Sequence, residues 1–245
     1  MSEPFSVVIP ARHASTRLPG KPLVEIHGRP MIQWVCDAAR GSEAERVVVA
    51  TDDRRIVEAV ECFGGDCRMT RADHPSGTDR LLEVADQLGW SDDHIVVNLQ
   101  GDEPLMDPRN LTQVARNLVC SACDMATLYV DIGAEEAADP NRVKLVCDAR
   151  GRALYFSRSV IPHDRDAEGG RYLGHVGLYA YRVGFLRTFA ALPPCEPEQR
   201  ERLEQLRALY HGYSIHADRA RVTPGPGVDT PEDLHRVRRL LEPRA

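Results

Sequence analysis

The chain has 245 residues, of which 42% are hydrophobic and 28% charged, an ordinary composition for a globular protein with a full core. The net charge of -6 and a pI near 5.9 argue against a nucleic-acid-binding or anionic-membrane surface. We expect a cytoplasmic protein, because no apolar run is long enough to cross a bilayer and the N-terminus lacks a signal-peptide pattern.

The first half of the chain alternates strand patterns with helix patterns. Strands are predicted over Phe5–Pro10, Arg46–Ala50, Cys67–Thr70 and His94–Leu99. Helices are predicted over Pro30–Arg40, between the capping segment 51–53 and Gly64, over Gly77–Leu88 and over Pro108–Val119. This succession predicts an α/β fold with a doubly wound, mostly parallel sheet.

The sequence of the second half predicts a different order of elements, with several strands in succession. Strands are expected over Met125–Val130, Val143–Cys147, Ala153–Phe156 and His175–Tyr181, with a loop over His163–Gly174. Helices are expected over Arg182–Leu192, Glu198–Tyr210 and Pro231–Leu241. We therefore predict one domain over residues 1–245, in which residues from about 125 to 215 form a smaller mixed α+β lobe.

The loop after the first predicted strand concentrates positive charge in a net acidic chain. It carries Arg12, Arg17 and Lys21. Ligands bind at the carboxyl ends of strands in open α/β sheets, and the prolines of this loop restrict its backbone. The loop therefore predicts a polyphosphate ligand, with a solvated basic turn as the alternative.

Two aspartates follow patterns that suit a divalent cation. Asp102 comes directly after the strand His94–Leu99, and Asp229 lies in a glycine- and proline-rich loop before the last predicted helix. Each could instead be a helix cap or a turn residue. Together they predict a Mg²⁺ site that phosphate oxygens complete.

The cysteines predict no metal or redox site. All seven are scattered along the chain, and the pair Cys120 and Cys123 has no second pair to complete four zinc ligands. The same pair ends a predicted helix, whereas a redox motif needs a helix N-terminus. We expect reduced thiols.

Five segments, in order along essentially the whole chain, together resemble the CMP-KDO synthetases, the 3-deoxy-manno-octulosonate (KDO) cytidylyltransferases of lipopolysaccharide biosynthesis. The segments are Pro10–Pro22, Ser76–Arg80, Asn98–Pro104, Ala153–Arg158 and Gly225–Leu234. The resemblance implies a fold like that of nucleotide-diphospho-sugar transferases. It also implies that CTP and KDO give CMP-KDO and diphosphate, with Mg²⁺ as cofactor. A homodimer is implied as well, formed through the second lobe, where Tyr172, Leu173 and the strand His175–Tyr181 are candidates.

The resemblance also implies roles for individual residues. Arg12, Arg17 and Lys21 would bind the CTP phosphates, and Asp102 and Asp229 would hold the metal. The cytidine pocket would be lined by Ala11, Arg71, Ser76 and Gln100. The sugar acid would be faced by Arg80, Gln100, Tyr155, Arg158, His175, Glu204 and Gln205.

The sequence departs from the family pattern at one point, and its residues also suit two other functions. Gly174 stands where the family often has an arginine, and the loop Asp164–Gly174 is shorter than in several relatives. The alternatives are a cytidylyltransferase for another acid sugar, such as a sialic acid, and a nucleotide-binding module without turnover. A Rossmann dehydrogenase is excluded, because the first loop lacks the Gly-x-Gly-x-x-Gly fingerprint.

Overall fold

The structure, a computed structural model, describes residues 3–14, 18–74, 76–166 and 169–242. Its strands are β1 (Phe5–Ala11), β2 (Glu25–Ile26), β3 (Arg29–Pro30), β4 (Arg46–Thr51), β5 (Asp66–Met69), β6 (Ile95–Asn98), β7 (Met125–Ile132), β8 (Lys144–Cys147), β9 (Ala153–Ser157), β10 (Tyr172–Arg182) and β11 (Ile215–Arg219). Its α-helices are α1 (Met31–Arg40), α2 (Arg54–Cys62), α3 (Gly77–Gln87), α4 (Pro108–Ser121), α5 (Ala134–Ala138), α6 (Val183–Ala191), α7 (Glu196–Glu201), α8 (Gln205–Tyr210) and α9 (Pro231–Leu240).

One mixed sheet organises the chain, with the strand order β11-β7-β10-β6-β1-β4-β5 and with β8 and β9 attached beside β10. Strand β1 pairs in parallel with β4 and β6, whereas β10 is antiparallel to β6 and β7. In the described part of the chain, only β9 and β10 run against the other strands of this sheet. The predicted α/β fold with a mostly parallel sheet is confirmed.

Both faces of the sheet are covered, as a doubly wound fold requires. Val7 and Ile9 of β1 pack into a hydrophobic cluster with α1, α2 and α4. Val8, which points the opposite way, packs into a second cluster with α3 and α6. A strand alternates its side chains between the two faces of the sheet. A strand that is buried on both faces therefore has a largely continuous apolar sequence. This pattern allowed β1 and β6 to be predicted.

A third, smaller cluster fixes the last helix beside the first loop. Ile26 and Met31 from the β2–α1 region pack there against Val228, Leu234 and Val237. The cluster joins residues about 200 positions apart in the chain, and Val228 directly precedes Asp229. The packing therefore holds the segment of Asp229 against the loop that carries Lys21.

Most predicted elements begin and end within one or two residues of the observed bounds. The single helix predicted over Glu198–Tyr210 is wrong, because Arg202 adopts a left-handed conformation (φ 54°) and separates α7 from α8. The predicted loop His163–Gly174 extends too far, since β10 begins at Tyr172, which pairs with Ile132. The prediction omitted β2, β3, β11 and α5.

The second lobe is not set apart by the sheet, since strands β7 to β11 continue the same sheet as β1. Its boundary at about 125–215 stays a prediction. Tyr172, proposed above for a dimer interface, is buried, and β10 already pairs with β6, β7 and β8. Exposed apolar side chains lie instead on and after β9, at Leu154, Tyr155 and Val160. Within the described residues, no helix is long and apolar enough to span a membrane.

Candidate active site

A cleft of about 380 Å³ opens at the carboxyl ends of β1 and β6. Its walls come from the first loop, the start of α3 and the segment after β6: Pro10, Ala11, Arg12, Ala14, Lys21, Pro22, Gly77, Gln100, Gly101 and Asp102. This is the position at which α/β sheets bind ligands, and the volume lies within the usual range of small-molecule sites.

Close backbone approach at Gly101 brings two walls of this cleft together. A Cβ on Gly101 would lie 2.8 Å from the carbonyl oxygen of Pro10, which is closer than real Cβ atoms come to such a group. A residue with a side chain would therefore push the end of β1 away from the segment that carries Asp102. The glycine before Asp102 is a geometric requirement of the cleft.

Asp102 and Asp229 converge on one cation. The Nζ of Lys21 donates to Oδ2 of Asp102 at 2.6 Å and to Oδ1 of Asp229 at 2.9 Å. Burial alone would lower the pKa of Lys21, but the two carboxylates offset this and raise it above its ordinary value. The two aspartates predicted to share a metal therefore lie on either side of one ammonium group.

Neither aspartate is a helix cap, so that alternative is removed for both, whereas Asp102 does lie in a turn after β6. Thr230 is the N-cap of α9 and forms a reciprocal capping box with Asp233. Asp107 is the N-cap of α4, which begins after Asp102. The backbone N–H of Val228 donates to the carbonyl oxygen of Asp102 at 2.9 Å, so the two carboxylate-bearing segments are also tied directly to each other.

The donor set fits Mg²⁺ bound jointly with a phosphate ligand. Mg²⁺ in phosphate-transfer sites is usually held by one or two carboxylates, with substrate oxygens and waters in the other positions. Asp102 and Asp229 supply two such carboxylates around a position that already holds positive charge. Across the described ranges, no group of three or more His, Cys, Asp or Glu residues could hold a metal alone.

Glu103 is a third acidic group at this site, and the sequence analysis did not assign it. Burial, followed by the charges of Asp102 and Asp229, raises the pKa of Glu103 to about 8. Its Oε1 would lie 2.9 Å from a Cβ placed on Gly227. Its position directly after Asp102 in the sequence is the signal from which a role for Glu103 at this site could have been predicted. Close to neutral pH this carboxyl holds a proton and adds little negative charge to the aspartate pair.

The basic loop is tied to the start of α3. Arg12 donates from one guanidinium nitrogen to the carbonyl oxygens of His74 (2.8 Å) and Ser76 (3.3 Å). Ser76 is the N-cap of α3, where its side chain accepts from the N–H of Asp79. Arg71 is exposed and paired with Asp73 at 2.6 Å. Arg17 lies outside the described residues.

A smaller cavity of about 70 Å³ adjoins the cleft, and Gln100 lines both. Its wall consists of Thr78, Asn98, Gln100, Met125, Tyr179, Tyr181, Phe189, Glu204 and Gln205. The predicted residues Gln100, Glu204 and Gln205 are therefore together. The polar residues Thr78, Asn98, Tyr179 and Tyr181 were not predicted, because they lie on different strands and on a helix.

Two buried polar atoms of this cavity lack hydrogen-bond partners among the described residues, namely Oε1 of Glu204 and Nε2 of Gln205. The other carboxylate oxygen of Glu204 accepts from Oγ1 of Thr78 at 2.8 Å. Burial raises the pKa of Glu204. Buried polar groups in native proteins are nearly always paired, so these two atoms leave the small cavity able to accept and to donate hydrogen bonds.

Three other predicted sugar contacts lie elsewhere. The side chain of Arg80 is 0% exposed and lines neither cavity. Its guanidinium donates instead to Asp52, the residue after β4, at 3.0 Å. Arg158 donates from Nε to the carbonyl oxygen of Glu201 at 2.7 Å. Tyr155 lies in a separate open groove beside Glu201.

His175 is a half-buried residue of β10 next to a residue of the small cavity. Its Nε2 lies 3.0 Å from Oγ1 of Thr127, and its ring contacts Phe156 and Tyr179. Burial, helped by the charge of Arg142, lowers the pKa of His175 to about 3. His175 reaches the cavity only through Tyr179, which lines it.

The lowered pKa of His175 predicts acid sensitivity of the fold. Above pH 6.5 the residue is neutral in both folded and unfolded chains, and stability is fully present. As pH falls from 6.5 towards 3, the unfolded chain takes up a proton that the folded chain does not. The free energy of unfolding then falls by up to about 1.4 kcal/mol per pH unit from this group.

Urea unfolding between about pH 7.5 and pH 5 measures this slope. His175→Gln, which keeps a polar neighbour for Thr127, should make the slope shallower, whereas the exposed control His163→Gln should not. His94 and His216, whose pKa values are also lowered by burial, retain part of the slope. If the free energy of unfolding of His175→Gln fell with pH as steeply as that of the wild type, His175 would not be a source of the acid sensitivity.

Comparison with known proteins agrees with this geometry. The family described as "Cytidylyltransferase" matches residues 6–215. A 3-deoxy-manno-octulosonate cytidylyltransferase from Pseudomonas fluorescens is 57% identical over 99% of this chain and 100% of its own length. The chain belongs to the 3-deoxy-manno-octulosonate cytidylyltransferase family. Another such cytidylyltransferase, from Serratia proteamaculans, is 54% identical over 96% of this chain and 97% of its own.

Solved structures extend the comparison to the fold of this cytidylyltransferase. CMP:2-keto-3-deoxy-manno-octonic acid synthetase, solved in complex with CTP, superposes with a TM-score of 0.92 at 49% identity and covers 98% of each chain. A cytidylyltransferase from Leptospira borgpetersenii has a TM-score of 0.62 at 15% identity, over 96% of this chain and 86% of its own, and shares the fold alone. The predicted family and the predicted enzyme class are confirmed.

Proposed function

We propose that this cytidylyltransferase transfers CMP from CTP to 3-deoxy-D-manno-octulosonate, releases diphosphate and uses Mg²⁺. One observation carries the proposal: the cleft lined by Arg12 and Lys21, where Asp102 and Asp229 meet at Lys21, shares the wall residue Gln100 with a polar cavity. The relatives at 54% and 57% identity carry the name of this activity.

In this proposal CTP occupies the larger cleft. Arg12 and Lys21 lie on its wall and would neutralise the charge of the triphosphate, as phosphoryl transfer requires. Arg17, in the same loop, is proposed for the same role. The relative with a TM-score of 0.92 was solved with CTP, which supports CTP as the nucleotide.

The sugar acid occupies the small cavity and its opening. Glu204 and Gln205 would accept from and donate to its hydroxyl groups through the atoms that lack partners. The anomeric hydroxyl then attacks the α-phosphorus in line, so that one P–O bond forms while the bond to diphosphate breaks, and the hydroxyl proton passes to water. Catalysis consists mainly of positioning and charge neutralisation, and no covalent enzyme intermediate is required.

Asp102 and Asp229 would hold Mg²⁺, which supplies charge neutralisation at the phosphate and lowers the pKa of a nearby hydroxyl. We also propose that the protein is a cytoplasmic homodimer. The exposed apolar side chains on and after β9 are the surface that best suits a second copy.

Diphosphate release tests the proposal, measured with each nucleoside triphosphate, with and without KDO and Mg²⁺. Release should require CTP, KDO and Mg²⁺ together. Release with a sialic acid in place of KDO would favour the other acid-sugar enzyme. CTP binding without any release would indicate the nucleotide-binding module.

A further inference from the structure

The ammonium group of Lys21 stands where the proposed metal would bind. Its Nζ is 2.6 Å from Asp102 and 2.9 Å from Asp229, and its side chain is only 13% exposed. The three residues come from the first loop, the end of β6 and the segment before α9. In this arrangement the carboxylate pair already has a cation.

We propose that Lys21 occupies the cation position of the nucleotide-free enzyme and exchanges with Mg²⁺ when the triphosphate binds, an inference that rests on the proposed nucleotide and metal sites. Lys21 thus keeps divalent metal off Asp102 and Asp229 until the nucleotide is present.

Electrostatics gives the direction of this exchange. A divalent cation held by both carboxylates would lie close to the ammonium group that donates a hydrogen bond to each of them, and the two positive groups repel at such short range. Metal binding is therefore weaker while Lys21 stays between the carboxylates. A triphosphate in the cleft offers Lys21 several anionic oxygens in place of the two carboxylates. The carboxylates then become available to the metal that accompanies the phosphates.

The local structure lets the exchange occur through the side chain alone. Lys21 begins a short 3₁₀ turn, Lys21–Leu23, in which the N–H of Leu23 donates to the carbonyl oxygen of Gly20 at 2.8 Å. Pro22 follows directly and is buried, so the backbone is held. The four-carbon stem of lysine is flexible, and both Lys21 and Asp102 line the nucleotide cleft.

Exchange makes nucleotide and metal binding cooperative. If the triphosphate removes Lys21 from the carboxylates, it raises metal affinity, and the metal must raise nucleotide affinity by the same factor. The nucleotide-free enzyme should therefore bind divalent metal weakly, and removal of the ammonium group should strengthen that binding.

Metal binding without nucleotide tests the proposal directly. Mn²⁺ is titrated into the wild type and Lys21→Met and followed by electron paramagnetic resonance and calorimetry. We expect Lys21→Met to bind Mn²⁺ at least about tenfold more tightly than the wild type. Mg²⁺ should also raise the melting temperature of this variant more than that of the wild type.

Two controls separate this exchange from a general effect of charge. Lys21→Arg keeps a cation and should keep metal binding weak. Arg200→Met removes a positive charge at an exposed site paired with Glu196 and should leave Mn²⁺ affinity unchanged. Lys21→Gln repeats the test with a second neutral side chain, in case Lys21→Met fails to fold.

The outcomes distinguish failure of this inference from failure of the metal site. Equal Mn²⁺ affinity in the wild type, Lys21→Met and Lys21→Gln overturns the exchange. Tighter binding in Lys21→Met that is lost on adding Asp229→Asn supports it. Tighter binding that survives Asp229→Asn places the metal elsewhere, which overturns both the exchange and the proposed carboxylate site.

Discussion

Changing Asp102 or Asp229 to alanine is expected to lower kcat at least about a hundredfold, a loss of about 2.7 kcal/mol of transition-state stabilisation. Each variant removes one of the two carboxylates that meet at the position now held by Lys21. Diphosphate release at saturating CTP, KDO and Mg²⁺ is the measurement. The loss should appear in kcat, because the remaining cations of the cleft still bind the triphosphate.

Asp92→Ala is a matched control for these variants. Asp92 is an exposed aspartate that precedes β6, whereas Asp102 follows it, so the same residue type is removed at the opposite end of one strand. We expect its kcat to equal that of the wild type. Near-normal kcat in Asp102→Ala or Asp229→Ala would show that the metal assignment is wrong.

The position of Asp102 was predictable because it depends on a rule about strand ends. Asp102 follows β6, whose residues are all buried, and a buried, largely apolar strand is typical of a parallel sheet, in which the carboxyl ends of the strands share one edge. Asp229 has no such strand before it. Its placement beside Asp102 was proposed from its glycine- and proline-rich loop and was implied by the family resemblance, and Val228 and Leu234 achieve it through the third hydrophobic cluster.

The position of Lys21 was not predictable from its loop. Three cations on a basic loop predict phosphate binding. Nothing in this pattern indicates that one of them, Lys21, forms salt bridges with two carboxylates. The partner Asp229 is 208 positions away, and only the folded chain brings it within 2.9 Å. The partner of Arg80 was unpredictable for the same reason, because only the folded chain shows that its buried side chain pairs with Asp52 and does not line the cavity.

The break between α7 and α8 is a different kind of failure. Leu203, Leu206 and Leu209 have helical spacing, and that pattern predicted one helix. Arg202 is left-handed at φ 54°, a conformation that non-glycine residues rarely adopt and that residue type does not reveal. The break is adjacent to Glu204 and Gln205, so it places the two residues with unpaired atoms in the small cavity.

Gly101→Ala is the second substitution for which we expect a large effect. Its Cβ would lie 2.8 Å from the backbone oxygen of Pro10, and a backbone group in the sheet cannot move aside as a flexible side chain can. The end of β1 and the segment after β6 must therefore separate. We expect a loss of about 1–3 kcal/mol in the free energy of unfolding, which is typical of overpacking.

Gly101→Ala should also slow catalysis. Asp102 is the next residue, and a displacement of about 1 Å at a reacting group can cost about a hundredfold in rate. We expect kcat to fall by about that factor. CTP binding should weaken less, because Arg12 follows Pro10 on the first loop, whereas the displaced Asp102 follows Gly101. Gly133→Ala is the control, because nothing lies within 4 Å of its Cβ. If Gly101→Ala kept both the kcat and the unfolding free energy of the wild type, the close approach of Gly101 to Pro10 would not be what positions Asp102.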